Sequence, residues 1–291
     1  MHAWRPSALP LPFRKIRQVT KKPPQQSEER RRRVQSAEVG MGILKALCRL
    51  GGAASLTAVA AEVEESTAKV HRYMASLIQE GMVAQNPATQ HYYLGQQAIA
   101  IGLAALRQCD PIRLGEPALV RLREQLQATC FLAVMGNLGP TILRFEEPGL
   151  PITINVRAGS VMPLLWSATG QVFLSYLDDA AVASQAEREL AAATKAQRTL
   201  LPGRNPVEAL RRRVRSQGCA TICGTLLPGI SAVAAPVFDY KGHVCAVLTA
   251  LGASGGFDVV LDGGIVVEVM REAANISAAL GFAGIDTAAS A

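Results

Sequence analysis

A chain of 291 residues exceeds the usual size of one domain, so a small domain joined to a larger one is the expectation. Hydrophobic residues make up 49% and charged residues 18%, which excludes a chain disordered throughout. The formal net charge of +7 is concentrated at the start: residues 1–35 carry ten Lys or Arg against Glu28 and Glu29, so the remainder is near neutral and the basic balance describes a tail, not a folded surface.

That tail, residues 1–35, also contains Pro6, Pro10, Pro12, Pro23 and Pro24 with little apolar periodicity, and is expected to be disordered. One reading makes it a flexible arm that neutralises DNA phosphates. The alternatives are a solubilising extension and a misplaced translation start. No apolar stretch follows the basic residues as in a secretory signal, and no run reaches the ~18 uncharged residues of a membrane span. A cytoplasmic protein with no membrane partner is the expectation.

Helical spacing of Val39, Ile43, Leu44, Leu47 and Leu50 predicts a first helix over 36–50, with Ser36 as its cap and Gly51-Gly52 as its stop. Ser55 caps a short second helix through Leu56, Val59, Ala60 and Val63. Ser66 caps a third, whose inner face holds Val70, Tyr73, Met74, Leu77 and Ile78 and whose outer face presents Thr67, Lys69, His71, Arg72 and Ser76. Two short strands, 82–85 and 91–94, then flank Asn86-Pro87-Ala88-Thr89. Helix, short helix, capped helix and hairpin describe a winged helix-turn-helix over 36–95, and the third helix carries donors suited to phosphates and base edges. Taken alone, Lys69 and Arg72 would pass for an ordinary solvated face; the ordered set around them favours DNA. His91, with Gln90, stands at the wing tip as a weaker candidate contact.

Residues 96–110 form an apolar helix, with Ala98, Ile101, Ala105 and Leu106 on one stripe and Ile99 and Leu103 beside it. This is more apolar surface than one neighbour covers, as in a linker that also makes a dimer contact. Asp110-Pro111 breaks it, and a helix over 112–126 opens the larger domain, 111–284. Strands are predicted at 130–135 and 141–145 around the turn Gly136-Asn137-Leu138-Gly139-Pro140, and at 152–156, 230–237 and 244–251. Helices are predicted at 168–177, 180–193, 207–217 and 264–280, leaving 285–291 as a flexible end. The class is α+β, with a mixed or largely antiparallel sheet.

Cys48, Cys109, Cys130, Cys219, Cys223 and Cys245 are scattered, without a CxxC pair or a His at ligand spacing, so neither metal nor cofactor is expected. Cys219 and Cys223 are four apart and leave a redox pair open, beside the commoner reading of buried free thiols. His2, His71, His91 and His243 do not cluster, and no catalytic residue is assigned.

After about Gln35 the chain resembles the IclR family of transcriptional regulators. The resemblance is carried by Val70-His71-Arg72-Tyr73, Leu77 and Gly81, by Tyr92-Tyr93-Leu94-Gly95, and by Gly136-Asn137-Leu138-Gly139-Pro140. Arg157-Ala158-Gly159-Ser160 with Pro163-Leu164, Ser167-Ala168-Thr169-Gly170 and Ala234-Ala235-Pro236-Val237-Phe238-Asp239 follow in order. It implies a GAF-like effector domain, a homodimer or homotetramer on double-stranded palindromic operators, and a small organic or aromatic acid as effector. It also implies a pocket at Gly159 and Ser160, at the segment before Ala-Ala-Pro, and at Thr249. Backbone N–H groups of Gly159 and Ser160, the hydroxyls of Ser231 and Thr249, and Arg157 are the expected effector contacts; a loop glycine, strand hydroxyls and a salt-bridged surface arginine are the alternatives. Thr221 to Thr225 and Ala232 stand where many relatives have an acid and a cysteine, which leaves room for a more apolar ligand, aromatic ones included, or equally for a pocket that binds nothing. Two other functions stay open: a thiol-based redox sensor or enzyme on the C-terminal domain, and a winged helix that binds only protein.

Overall fold

The computed structural model describes residues 34–149, 156–201 and 203–284. Contacts divide the chain between Ala104 and Ala105 into two units.

In the first unit, α1 (Gln35–Arg49), α2 (Leu56–Glu62) and α3 (Thr67–Gln79) pack around Ile43, Leu47, Val59, Val70 and Met74, all fully buried. The cap of α1 is Val34, without a side-chain bond, so Ser36 lies inside the first turn and does not cap it. The two other predicted caps form: Ser55 Oγ accepts from the Ala58 amide at 3.2 Å and Ser66 Oγ from the Lys69 amide at 3.3 Å. Gly51 and Gly52 take φ of +82° and +90°, a conformation open to glycine, and turn the chain into β1 (Ala53–Ala54). This two-residue strand pairs with β3 (Tyr92–Leu94), whose other edge holds β2 (Val83–Gln85), so the wing is a three-stranded sheet in the order β1-β3-β2. At its tip, Asn86 Oδ1 accepts from the Ala88 and Thr89 amides at 2.9 and 3.2 Å. Helix α4 (Gln96–Leu106) follows, shorter than the 96–110 predicted; it buries no residue, and Ile99, Ile101 and Leu103 are 59%, 59% and 51% exposed.

The second unit is a three-layer sandwich. Its sheet has the order β5-β4-β8-β7-β6, built of β4 (Thr129–Gly136), β5 (Gly139–Glu146), β6 (Ala220–Cys223), β7 (Ile230–Phe238) and β8 (Val244–Ala253), with every neighbour antiparallel. Helices α5 (Pro111–Leu126) and α10 (Gly264–Ala279) cover one face; α6 (Ala168–Tyr176), α7 (Ala180–Ala192), α8 (Lys195–Thr199) and α9 (Pro206–Gln217) lie toward the other. Alternate residues therefore enter different cores: Ala232 and Ala234 of β7 face α6, while Val233, Ala235 and Val237 face α5 and α10. Asp110 caps α5 through the Ile112 amide at 2.9 Å, and Pro111 occupies its first turn.

Two further expectations are corrected. The predicted five-residue hairpin turn tightens to Asn137-Leu138, because Gly136 pairs with Gly139 and Met135 with Pro140. Strand β6 and helix α8 stand where neither was predicted. Most of the predicted strand at 152–156 lies outside the described residues, and Val156 itself belongs to no strand. No helix among the described residues is long and apolar enough to cross a membrane.

Candidate DNA-reading helix and effector cavity

Helix α3 owes its orientation to Val70 and Met74 beneath it and to the turn from α2, where Glu64 takes a left-handed φ of 55°. Ser66, Thr67, Lys69, His71 and Arg72 then rim one open depression together with Leu56. The sequence treated these donors as equivalent, and their bonding separates them. Ser66 Oγ is engaged as the cap, and Lys69 Nζ lies 2.6 Å from Glu65 Oε1 with both side chains half-buried. Ser76 is outside the depression and donates its hydroxyl to the Arg72 carbonyl at 3.4 Å. Thr67, His71 and Arg72 are exposed, and none of their side chains has a hydrogen-bond partner among the described residues. His91 is exposed on the wing. Glu65 was missed; the i,i+4 spacing to Lys69 was its signal in the sequence.

In the second unit a cavity opens between the sheet and the N-terminus of α6. Its walls include Phe131, Met162, Ile222, Leu226, Ile230 and Leu251, and its polar groups are the hydroxyls of Ser167, Thr169 and Thr249. The space measures about 400 Å³ with its mouth, of which about 30 Å³ is roomy enough for the centre of a water molecule. Thr169 and Thr249 share a hydrogen bond at 2.9 Å, both fully buried. Ser167 caps α6, accepting from the Gly170 amide at 2.9 Å while donating to the Pro163 carbonyl at 2.7 Å. The first-turn amides of Ala168 and Thr169, which no carbonyl of the helix can reach, belong to residues that line the cavity. The approach to α6 is held by Glu189, whose carboxylate accepts from the Leu164 and Leu165 amides at 2.9 and 3.0 Å. Gly170 permits this closeness: a Cβ there would sit 2.1 Å from the Pro163 oxygen.

Of the five expected effector contacts, only Thr249 lines this cavity. The Gly159 amide is taken by the Ile142 carbonyl at 2.7 Å and the Ser160 amide by the Arg157 carbonyl at 3.0 Å, so neither is free for a carboxylate. Ser231 is buried on the opposite face of β7 from Ile230 and Ala232, and donates to Ser254 Oγ at 2.9 Å. Arg157 is exposed; its Nη1 donates to the Val156 carbonyl at 2.8 Å and its guanidinium lies 5.9 Å from the Phe145 ring centre. Ser167 and Thr169 were quoted for the resemblance without being given a role; a Ser capping an apolar helix was their local signal.

Three of the six thiols are set against redox chemistry. Burial pushes Cys130 up to about 12 and Cys245 to about 11, and it raises Cys219 as well, so these three stay protonated near neutrality. Cys219 is buried and Cys223 exposed, and the strand from Ala220 to Cys223 alone advances about 10 Å, beyond the ~7 Å a disulfide can span. Among the described residues no three His, Cys, Asp or Glu converge as a metal site.

Two domain families match the chain: the IclR helix-turn-helix domain over residues 36–87 and the bacterial transcriptional regulator IclR C-terminal domain over 103–277. The crystal structure of Pseudomonas aeruginosa HmgR superposes with a TM-score of 0.79 at 40% identity, covering 86% of this chain and 100% of that one. The probable transcriptional regulator SauR of Cupriavidus necator is 26% identical over 210 residues, 71% of this chain and 81% of SauR. The Pca regulon regulatory protein of Pseudomonas putida is 25% identical over 211 residues, 72% of this chain and 71% of that protein. The matched domains and relatives are transcriptional regulators, not enzymes. The chain is a member of the IclR family of bacterial transcriptional regulators.

Proposed function

We propose that this DNA-binding regulator controls catabolic genes in the cytoplasm as a homodimer or homotetramer, answering to a small organic or aromatic acid bound in the cavity at the N-terminus of α6. The observation that carries this is the cavity itself: apolar walls, lined also by the first-turn residues Ala168 and Thr169 of α6 and by the hydroxyl-sharing pair Thr169 and Thr249. A helix N-terminus favours an anion through its unpaired N–H groups and its dipole, so a carboxylate seats against Ala168 and Thr169 while an apolar body lies against Phe131, Met162 and Leu251. In this reading Thr249 contacts the effector, while Arg157, Gly159, Ser160 and Ser231, which do not line the cavity, lie outside the contact.

On DNA, α3 enters the major groove with Ser66 and Thr67 at its leading end, His71 and Arg72 toward bases and phosphates, Lys69 toward phosphate once released from Glu65, and Ser76 and His91 at the margins. Residues 34–104 hold four Lys or Arg against five Glu, so this part of the unit contributes no net positive charge. Residues 1–33, with ten cations against two acids, supply the backbone attraction as a DNA-contacting arm. The exposed Ile99, Ile101 and Leu103 of α4 support a contact between two copies.

The test is a footprint and gel shift on the DNA beside the protein's own gene, with excess competitor at physiological salt, repeated with benzoate, phenylacetate and acetate. A protected, near-palindromic site whose occupancy responds to an aromatic acid and not to acetate supports the reading. Protection that none of these acids changes refutes the effector class, and shifts without a protected site refute the operator reading.

A further inference from the structure

Arginines of the second unit fall into two populations. On α5, β5 and α10 most are matched to carboxylates, Arg121 to Glu272, Arg123 to Glu146, Arg144 to Glu116 and Arg271 to Glu268, with Arg113 donating to the Gln108 carbonyl instead. On α8 and α9 they are not. Helix α9 carries Arg211, Arg212, Arg213 and Arg215 with one acid, Glu208, and from Lys195 to Arg215 seven cations stand against that single carboxylate. The whole of 105–291 has 16 Lys or Arg and 16 Asp or Glu, so this segment concentrates positive charge within an otherwise neutral unit.

Part of the concentration has a structural use. Arg211 donates to the Leu174 and Leu177 carbonyls and Arg215 to Ser175, at the end of α6; Arg198 donates to Ala191 and Ala193 at the end of α7. Cations there offset the negative ends of the helix dipoles. This does not account for Lys195, Arg204 and Arg212, which are exposed and make no hydrogen bond or ion pair among the described residues. Glu208 is the one acid on α9 itself, and the Glu189 carboxylate on α7 is turned to the Leu164 and Leu165 amides.

We propose that the α8–α9 face is a second DNA-contact surface, which grips duplex phosphates without reading sequence; this rests on the DNA-binding function above. The anion it fits is long. The three free cations are spread over 18 residues on separate elements, whereas a metabolite needs donors converging on one point. Duplex DNA offers one charge per about 1.7 Å of axis, and α9 alone is about 18 Å long. Guanidinium forks with N–H groups left over after capping match phosphate oxygens.

The experiment uses the full chain and its variant Lys195→Gln/Arg204→Gln/Arg212→Gln, titrated by fluorescence anisotropy over a KCl series. Two duplexes are compared: the footprinted operator and a scrambled duplex of equal length. The expected result is a fall in the slope of log K against log salt of up to about 2.7, at roughly 0.9 per lost phosphate contact, on both duplexes and with operator preference unchanged. Removing three cations elsewhere, at Arg144, Lys241 and Arg271, leaves the slope as it was. Unchanged slopes in the first variant overturn the proposal, and so does an equal fall in the second, which would report net charge alone. Circular dichroism and melting confirm folding, and Arg212→Gln by itself, expected to lose about 0.9, repeats the test should the triple variant misfold. A surface for an acidic protein would leave every DNA titration unchanged and counts against it. If the unaltered chain shows no operator preference, the operator reading falls, while the slope comparison on scrambled duplex still decides this surface.

Discussion

Replacing Glu65 by Gln tests whether the pair with Lys69 restrains DNA binding. The two groups are 2.6 Å apart at the leading end of the proposed recognition helix, with 28% and 29% of their side chains exposed. Such an i,i+4 pair contributes about 0.3–0.5 kcal/mol, so its loss moves folding stability little. For DNA the change is larger, because one carboxylate leaves the contact face and Lys69 no longer has to break a bond to reach phosphate. One more effective phosphate contact steepens the salt slope by about 0.9, which at 0.1 M salt is roughly an eightfold gain in affinity. The gain is expected on operator and scrambled duplex alike, since phosphates carry no sequence information. Anisotropy titrations between 50 and about 300 mM KCl read both quantities. An unchanged slope, or weaker binding, would refute the reasoning and show instead that Glu65 orients Lys69 for its contact.

Arg72→Ala is expected to lower operator affinity at least tenfold with an unchanged melting temperature, since Arg72 is exposed; full affinity would remove it from the contact. Deleting residues 1–33 is expected to weaken binding to all DNA and flatten its salt dependence, as seen in the same titrations; an equal slope would make the segment passive. Gly170→Ala drives a Cβ to 2.1 Å from the Pro163 oxygen and is expected to cost about 1–3 kcal/mol in urea unfolding. For Cys130, raised to about 12 by burial, the folded state holds its proton more tightly than the unfolded chain. Stability from this group is therefore full below the unfolded pKa of ~8.5 and declines as pH rises toward 12. Cys130→Ala is expected to lower stability overall while flattening that alkaline decline, measured by denaturant midpoints from pH 7 to about 11.

What the sequence disclosed was what local chemistry controls. Ser55 and Ser66 bond amides three residues away, so residue type and the apolar spacing behind them located α2 and α3. Strand β1 is two residues long and exists through pairing with Tyr92 and Tyr93, nearly forty positions on, for which no local pattern prepares. The misplacement of Ser231 has a different origin. Helices cover both faces of the central sheet, so β7 is apolar at odd and even positions alike, and alternation cannot tell which residues face α6. Gly159 and Ser160 form a loop of the kind that offers free amides, yet the chain lies along β5 and the Ile142 carbonyl takes one of them.

The proposed effector response turns on how full the cavity already is. Among the described residues no buried side-chain polar atom lacks a partner, and the two threonines at the polar end satisfy each other. An acid therefore finds no free hydroxyl, only the first-turn amides of α6; it has to open a space in which about 30 Å³ admits a water centre, and it selects a wider state of the wall. Thr249→Val separates the steps. It removes one hydroxyl of the pair without changing the side chain's shape, leaving Thr169 with an unsatisfied donor in an apolar surround, which costs about 1–3 kcal/mol in the empty protein. A carboxylate that accepts from Thr169 relieves that cost, so benzoate is expected to stabilise the variant more than the original chain, read as a larger rise in melting temperature at equal concentration. If the acid stabilises both equally, it does not reach the hydroxyl pair; if it stabilises only the original chain, Thr249 itself is the donor and the pairing with Thr169 is incidental.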